Sequence, residues 1–142
     1  MTTDPSAETT TSTATGTPTN WEETPSYGTD APLPRLAQAE VTFAYKGDLQ
    51  GTGECRYLFR YGPTGDSEIL GFEHVEGALR GRTGSFALRH EGTFTEGRVQ
   101  VRATVVPGSG ADGLEGLTGS GTIESARGDH DVTFRLEHSV PS

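Results

Sequence analysis

Along most of this chain apolar residues fall on every second position. In RTGSFALRHEGTFTEGR (82–98), Phe86, Leu88, His90 and Phe94 alternate with polar residues, and Gly92 completes the series. Val99, Val101, Ala103 and Val105 repeat the pattern, as do Val132, Phe134 and Leu136. A period of two puts such side chains on one face of a strand. No helical period runs beyond two turns, and turn signals recur regularly among the 20 glycines. The pattern predicts an all-β chain of eight antiparallel strands: 13–20, 36–46, 50–61, 67–79, 84–95, 98–107, 117–126 and 129–138. WEETPSYGTDAPLP (21–34) and PGSGADGLEG (107–116) lack a period and read as long connections.

Turn chemistry sets the expected registers. A two-residue turn at Gly81–Arg82 pairs Val75 with Leu88 and Glu73 with His90. One at Glu96–Gly97 pairs His90 with Ala103 and Phe94 with Val99. One at Arg127–Gly128 pairs Gly121 with Phe134. A loop over Gly47–Leu49 pairs Phe43 with Gly53 and Val41 with Cys55, and the same face is kept if Tyr57 meets Glu73. Large side chains then face glycine at Phe43–Gly53, Phe59–Gly71, Phe86–Gly77 and Phe134–Gly121, as expected where a sheet curls tightly. Eight such strands close most simply into a small barrel, which leaves no open edge. A two-sheet sandwich is the competing architecture.

Composition changes this picture at the N-terminus. Only 31% of the 142 residues are hydrophobic, and residues 1–20 hold no large apolar side chain after Met1. Residues 1–12 are expected to be a disordered Thr/Ser/Ala-rich tail, because they bury too little to offset ordering entropy. Residues 13–142 then form a single barrel domain. No stretch reads as a signal peptide or approaches the roughly 20 apolar residues of a membrane-spanning helix. A single cysteine, Cys55, fits a reducing compartment, so a cytoplasmic location is expected. One Cys and four scattered His show no zinc-ligand spacing, and no metal or cofactor is expected. A net charge of −9 without a basic stripe argues against nucleic acid and anionic membranes as partners. PGSG (107–110) is no phosphate cradle, since no helix follows it.

Three stretches resemble a known family: YKGDLQGTGECRYLF (45–59), GFEHVEGALRGRTGSFALRHEGTF (71–94) and VVPGSGADGLEGLTGSG (105–121). They are similar to DUF3224, a family of small uncharacterised bacterial proteins. The third is the most specific, with an apolar strand running into PGSG and then L-x-G-L-x-G-x-G. The resemblance implies a calycin-like barrel similar to allene oxide cyclases, which form trimers and whose relatives close rings in an apolar lumen. Fold analogy of this kind supplies no function by itself. The family's first strand has the form G-x-F-x-V, but here the stretch is GTPTNWEE (16–23), with Pro18 in place of an aromatic. A truncated first strand and a partly open barrel are the expected consequence.

Chaining the registers places Tyr57, Glu73, His90 and Ala103 side by side on the apolar face. Two readings follow. In one, Glu73 orients His90 as a general acid–base and Tyr57 donates to a carbonyl or enolate oxygen, while Ala103 leaves room for a ligand. In the other, the polar groups satisfy one another and fix the register. The expected function is binding of a small apolar molecule in the lumen, with cofactor-free cyclase or isomerase chemistry at Tyr57, Glu73 and His90. The alternative is a non-catalytic binding or structural barrel. Phe43, Cys55, Phe59, Phe86, Ala103 and Phe134 would line the ligand site, with Trp21 plugging or lining one end. Cys55 lacks a paired base and reads as a small hydrophobe rather than a nucleophile. Phe72 and Leu58 alternate outward, so a homo-oligomer contact is a further expectation.

Overall fold

The computed structural model describes residues 9–25, 32–126 and 128–141. The strands are β1 (Thr10–Thr24), β2 (Arg35–Gly47), β3 (Leu49–Tyr61), β4 (Ser67–Leu79), β5 (Arg82–Thr95), β6 (Arg98–Val105), β7 (Ala111–Asp112), β8 (Thr118–Ala126) and β9 (Val132–Ser139). Eight of them close into an antiparallel barrel in the order β1-β2-β3-β4-β5-β6-β8-β9, with β9 returning to β1. The short β7 lies outside this ring, on Gly84 and Ser85 of β5. No described segment is helical, so none is a helix long and apolar enough to cross a membrane.

Closure does not fail at Pro18. Strand β1 pairs with β2 through Ala14–Thr24 and with β9 through Thr10–Gly16. Pro18 sits opposite Phe43 and Asn20 opposite Thr42, so Thr19 is the extra residue of a β-bulge. The bulge absorbs the missing N–H of proline and reverses the parity of the strand. Ser12, Ala14 and Gly16 are buried before it, whereas Trp21 and Glu23 turn to the cavity side after it. The truncated strand and the start of the loop at Trp21 are thus corrected. Thr10–Ser12 also lie in the ladder rather than in a tail, because β9 supplies their backbone partners. Residues 1–8 of that tail and 26–31 of the loop lie outside the described residues.

The expected registers hold at β2–β3 and β5–β6: Phe43 faces Gly53, and His90 faces Ala103. Three others shift by two residues. At β4–β5 the turn is Arg80–Gly81, not Gly81–Arg82, and Leu79 pairs with Arg82. Both turn residues have positive φ (48° and 84°), as a type I′ turn requires. Arg80 tolerates this conformation where it is held: its N–H donates to the Asp48 carbonyl at 2.8 Å and its guanidinium pairs with the Asp48 carboxylate at 3.3 Å. At β8–β9 the Asp129 carboxylate accepts the Ala126 N–H at 2.9 Å, and the ladder resumes only at Glu124–Thr133. Gly121 therefore faces Leu136 instead of Phe134. At β3–β4, Tyr57 faces Gly71 and Cys55 faces Glu73; at β4–β5, Phe86 faces Val75.

A shift of two residues keeps every side chain on its face. The core therefore consists of the expected residues, among them Phe43, Phe59, Phe86, Leu88, Ala103, Phe134 and Leu136, all buried. Leu114 and Leu117, from the connection after β6, close the end of the barrel near Leu49 and Leu79 and are buried as well.

Candidate functional site

Four polar side chains form one hydrogen-bonded chain through the middle of this core. Tyr45 Oη donates to Glu73 Oε2 at 2.5 Å. Glu73 Oε1 lies 2.8 Å from His90 Nε2, and Tyr57 Oη lies 2.9 Å from His90 Nδ1. A carboxylate only accepts, so Nε2–H donates to Glu73, and in the neutral tautomer this leaves Nδ1 to accept from Tyr57 Oη. Glu73 and His90 have no exposed surface. Burial, followed by the charge of Glu73, pushes the Tyr45 phenol well above its ordinary range. The Tyr57 phenol is raised by burial, then by Cys55 and Glu73. Both phenols are thereby kept protonated as donors.

The barrel rows explain how these groups meet. Tyr57, Gly71, His90 and Ala103 share one row, while Val41, Cys55, Glu73 and Leu88 share the next. Glu73 therefore reaches His90 diagonally instead of standing beside it. Glycines make this possible. A Cβ at Gly53 would collide with Glu73 Oε2, and one at Gly71 would press on the Tyr57 ring. Tyr45 was not among the residues singled out from sequence, although its parity with Val41 and Phe43 places it on the inner face.

Cys55 borders the chain. Its thiol interacts with Tyr57 and is pushed far up by burial and by Glu73, so it is no thiolate nucleophile. Cys55, Glu73 and His90 bring one ligand-type atom each within 4.8 Å of one another, a constellation invisible in sequence spacing. The facing atoms of Glu73 and His90 are already bonded to each other, and Tyr45 and Tyr57 use their other atoms. A cation would have to displace that pair inside a sealed core, so the donor set does not fit a metal.

A cavity of about 220 Å³ opens at one barrel mouth. Its walls are Trp21, Phe59, Ile69, Phe94 and Val99, with Glu23, Tyr61 and Ser67 at the polar side. Trp21 stacks on Phe59 at 6.1 Å between ring centroids and lies 6.3 Å from the Tyr57 ring. Tyr61 Oη donates to Glu23 Oε2 at 2.6 Å. Of the expected ligand-lining residues, Trp21 and Phe59 are here. Phe43, Cys55, Phe86, Ala103 and Phe134 are instead packed into the core, where large side chains fill the barrel beyond the mouth. Larger hollows of about 500 and 550 Å³ lie elsewhere, lined mainly by charged and polar residues of the outer face.

Over residues 12–136 the sequence matches the family described as a protein of unknown function, DUF3224. The chain belongs to this family. A crystal structure of a DUF3224 protein of unknown function from Shewanella oneidensis MR-1 is similar, with 26% identity and a TM-score of 0.69. The likeness covers 95% of this chain and 98% of that one. No match was found among curated proteins.

At the opposite end of the DUF3224 barrel, Ser12 Oγ lies 2.8 Å from His138 Nε2, and His138 Nδ1 is buried without a hydrogen-bond partner. Burial, and then Arg80, lowers the pKa of His138; Asp48 opposes this. The native state therefore binds this proton less readily than the unfolded chain. Its contribution to stability is present above the ordinary histidine value of about 6.5 and is lost as pH falls through it. Thermal melts should show the wild-type midpoint dropping more steeply below about pH 6.5 than that of His138→Asn. Parallel pH profiles would contradict the assignment.

Proposed function

We propose that this barrel binds a small, largely apolar molecule at its mouth, between Trp21 and Phe94. The observation that carries the reading is the cavity of about 220 Å³ with five apolar walls and hydrogen-bonding groups only on one side. Ligand pockets combine an apolar lining with a few polar groups that orient the occupant. The volume lies below the roughly 300–1,000 Å³ of drug-sized sites, so an occupant of one or two fused rings fits best. Stacking on the Trp21–Phe59 pair favours a planar one.

A catalytic version of this reading is favoured by one feature. The Tyr57 ring touches the mouth aromatics and its hydroxyl begins the chain to His90 and Glu73. Cofactor-free isomerisation or cyclisation would use Tyr57 Oη as proton donor to a substrate oxygen, which returns the same proton to Tyr57 as the product forms, while His90, held by Glu73, orients the hydroxyl. The complete burial of Glu73 and His90 favours binding without catalysis, because a molecule at the mouth reaches neither.

Trp21 is the single tryptophan of the chain, so its emission reports on this cavity alone. Titration with the neutral fluorophore N-phenyl-1-naphthylamine should quench Trp21 with matching sensitised emission from the probe, saturating at one probe per chain. Val99→Phe, which fills the mouth from its half-buried rim, should weaken this at least about tenfold while leaving the fold intact by circular dichroism. Quenching that does not saturate, or that Val99→Phe leaves unchanged, would rule the site out.

A further inference from the structure

The outer face of β2–β5 differs from the rest of the barrel exterior. Leu36, Leu58, Leu70 and Phe72 are each at least half exposed. They are contiguous: Leu58 lies opposite Leu70, Phe72 follows Leu70 on the same face, and Leu36 stands opposite Arg60, next to Leu58. A lone exposed leucine needs no explanation, but an apolar patch rimmed by charges marks an interaction surface. The rim here consists of three exposed ion pairs: Arg56–Glu40 at 3.1 Å, Arg60–Glu68 at 3.7 Å and Arg89–Glu91 at 2.8 Å.

We propose that this face binds a second copy of the chain across a two-fold axis. An isologous interface must be complementary to itself, and the strand register allows that condition to be tested row by row. An axis running along the strands between β3 and β4, in the plane of contact, lays β3 on the partner's β4 and β2 on the partner's β5. Four outward-facing rows then superpose: Leu36–Arg60–Glu68–Thr93, Gln38–Leu58–Leu70–Glu91, Glu40–Arg56–Phe72–Arg89 and Thr42–Glu54–His74–Ala87.

Each row meets its own reverse. Leu58 meets the partner's Leu70 at the centre. Arg60 meets the partner's Glu68, Glu40 meets the partner's Arg89, and Glu54 meets the partner's His74. Arg56 lies over the partner's Phe72, an arrangement that suits a guanidinium on an aromatic face. No position in the four rows sets like charges against each other. The surface thus supplies an apolar centre and a rim whose charges alternate in the sense that a second copy requires.

Sedimentation of the full chain tests this directly. The wild type should be a dimer that dissociates on dilution, and Leu58→Glu should be monomeric with an unchanged circular dichroism spectrum. Arg60→Glu brings two carboxylate pairs face to face across the axis, and Glu68→Arg brings two cationic pairs. Each variant alone should dimerise about tenfold more weakly, given the modest worth of exposed pairs. An equimolar mixture of the two should recover wild-type affinity, because each then meets its opposite. A wild type that stays monomeric or forms a trimer would overturn the proposal. So would a dimer indifferent to Leu58→Glu, or a mixture no tighter than its components.

Discussion

Replacing Glu73 with alanine should cost the barrel about 3–5 kcal/mol of folding stability. The carboxylate is the shared acceptor of Tyr45 Oη and His90 Nε2, and both donors are buried in the core. Alanine leaves both unpaired, at about 1–3 kcal/mol each, and adds a cavity. Glu73→Gln should cost clearly less. Its amide oxygen still accepts from Tyr45, and its NH₂ needs an acceptor that His90 can become by moving its proton to Nδ1. Tyr57 would then accept from His90 and turn its own proton towards Cys55. Urea unfolding of the three proteins measures the ranking, and ¹⁵N shifts of the His90 ring read the tautomer. A loss below about 1 kcal/mol for Glu73→Ala, within the range of ordinary substitutions, would contradict the structural role of the chain.

Gly53→Ala should be nearly as damaging, although it adds only a methyl group. Gly53 faces Phe43 on β2 and Val75 on β4, and the space that a Cβ would need is occupied by Glu73 Oε2, with the Tyr45 ring 3.0 Å away. The carboxylate must leave, and its two hydrogen bonds leave with it, for an expected loss of about 2–4 kcal/mol. The cause can be isolated by a double-mutant cycle. In the Glu73→Ala background the methyl group enters space that has been vacated, so Gly53→Ala should there cost less than about 1 kcal/mol. Additive effects would mean that Gly53 is needed for backbone reasons unrelated to Glu73.

These two residues also show what could be read from sequence. Alternation along β5, β6 and β9 made the inward faces plain, and the turn at Glu96–Gly97 set the β5–β6 register correctly. Arg80-Gly81-Arg82 was ambiguous, because glycine suits either position of a two-residue turn. The choice fell to Asp48, a residue distant in sequence whose carbonyl and carboxylate hold Arg80. An error of two residues preserved the face but set Glu73 in the same row as His90 and Tyr57, whereas it stands one row away from them. The three polar residues were therefore legible as inward neighbours, while their diagonal linkage and Tyr45 were not.

The mouth was legible only in part. Trp21 was visible as an aromatic near one end, but its placement depends on the bulge at Thr19, which exists because Pro18 cannot donate to the ladder opposite Phe43. Whether the lumen was open or filled depended on volumes that alternation does not encode. Phe86, Leu88, Phe134 and Leu136 fill it, which leaves space at the mouth.

The most direct test is a crystal structure of the chain soaked with 1-bromonaphthalene, with bromine located by its anomalous signal. One bromine peak is expected in the mouth, among Trp21, Phe59, Phe94 and Val99. Bromine beside His90 in the barrel interior, or only on the outer Leu58–Phe72 face, would contradict it.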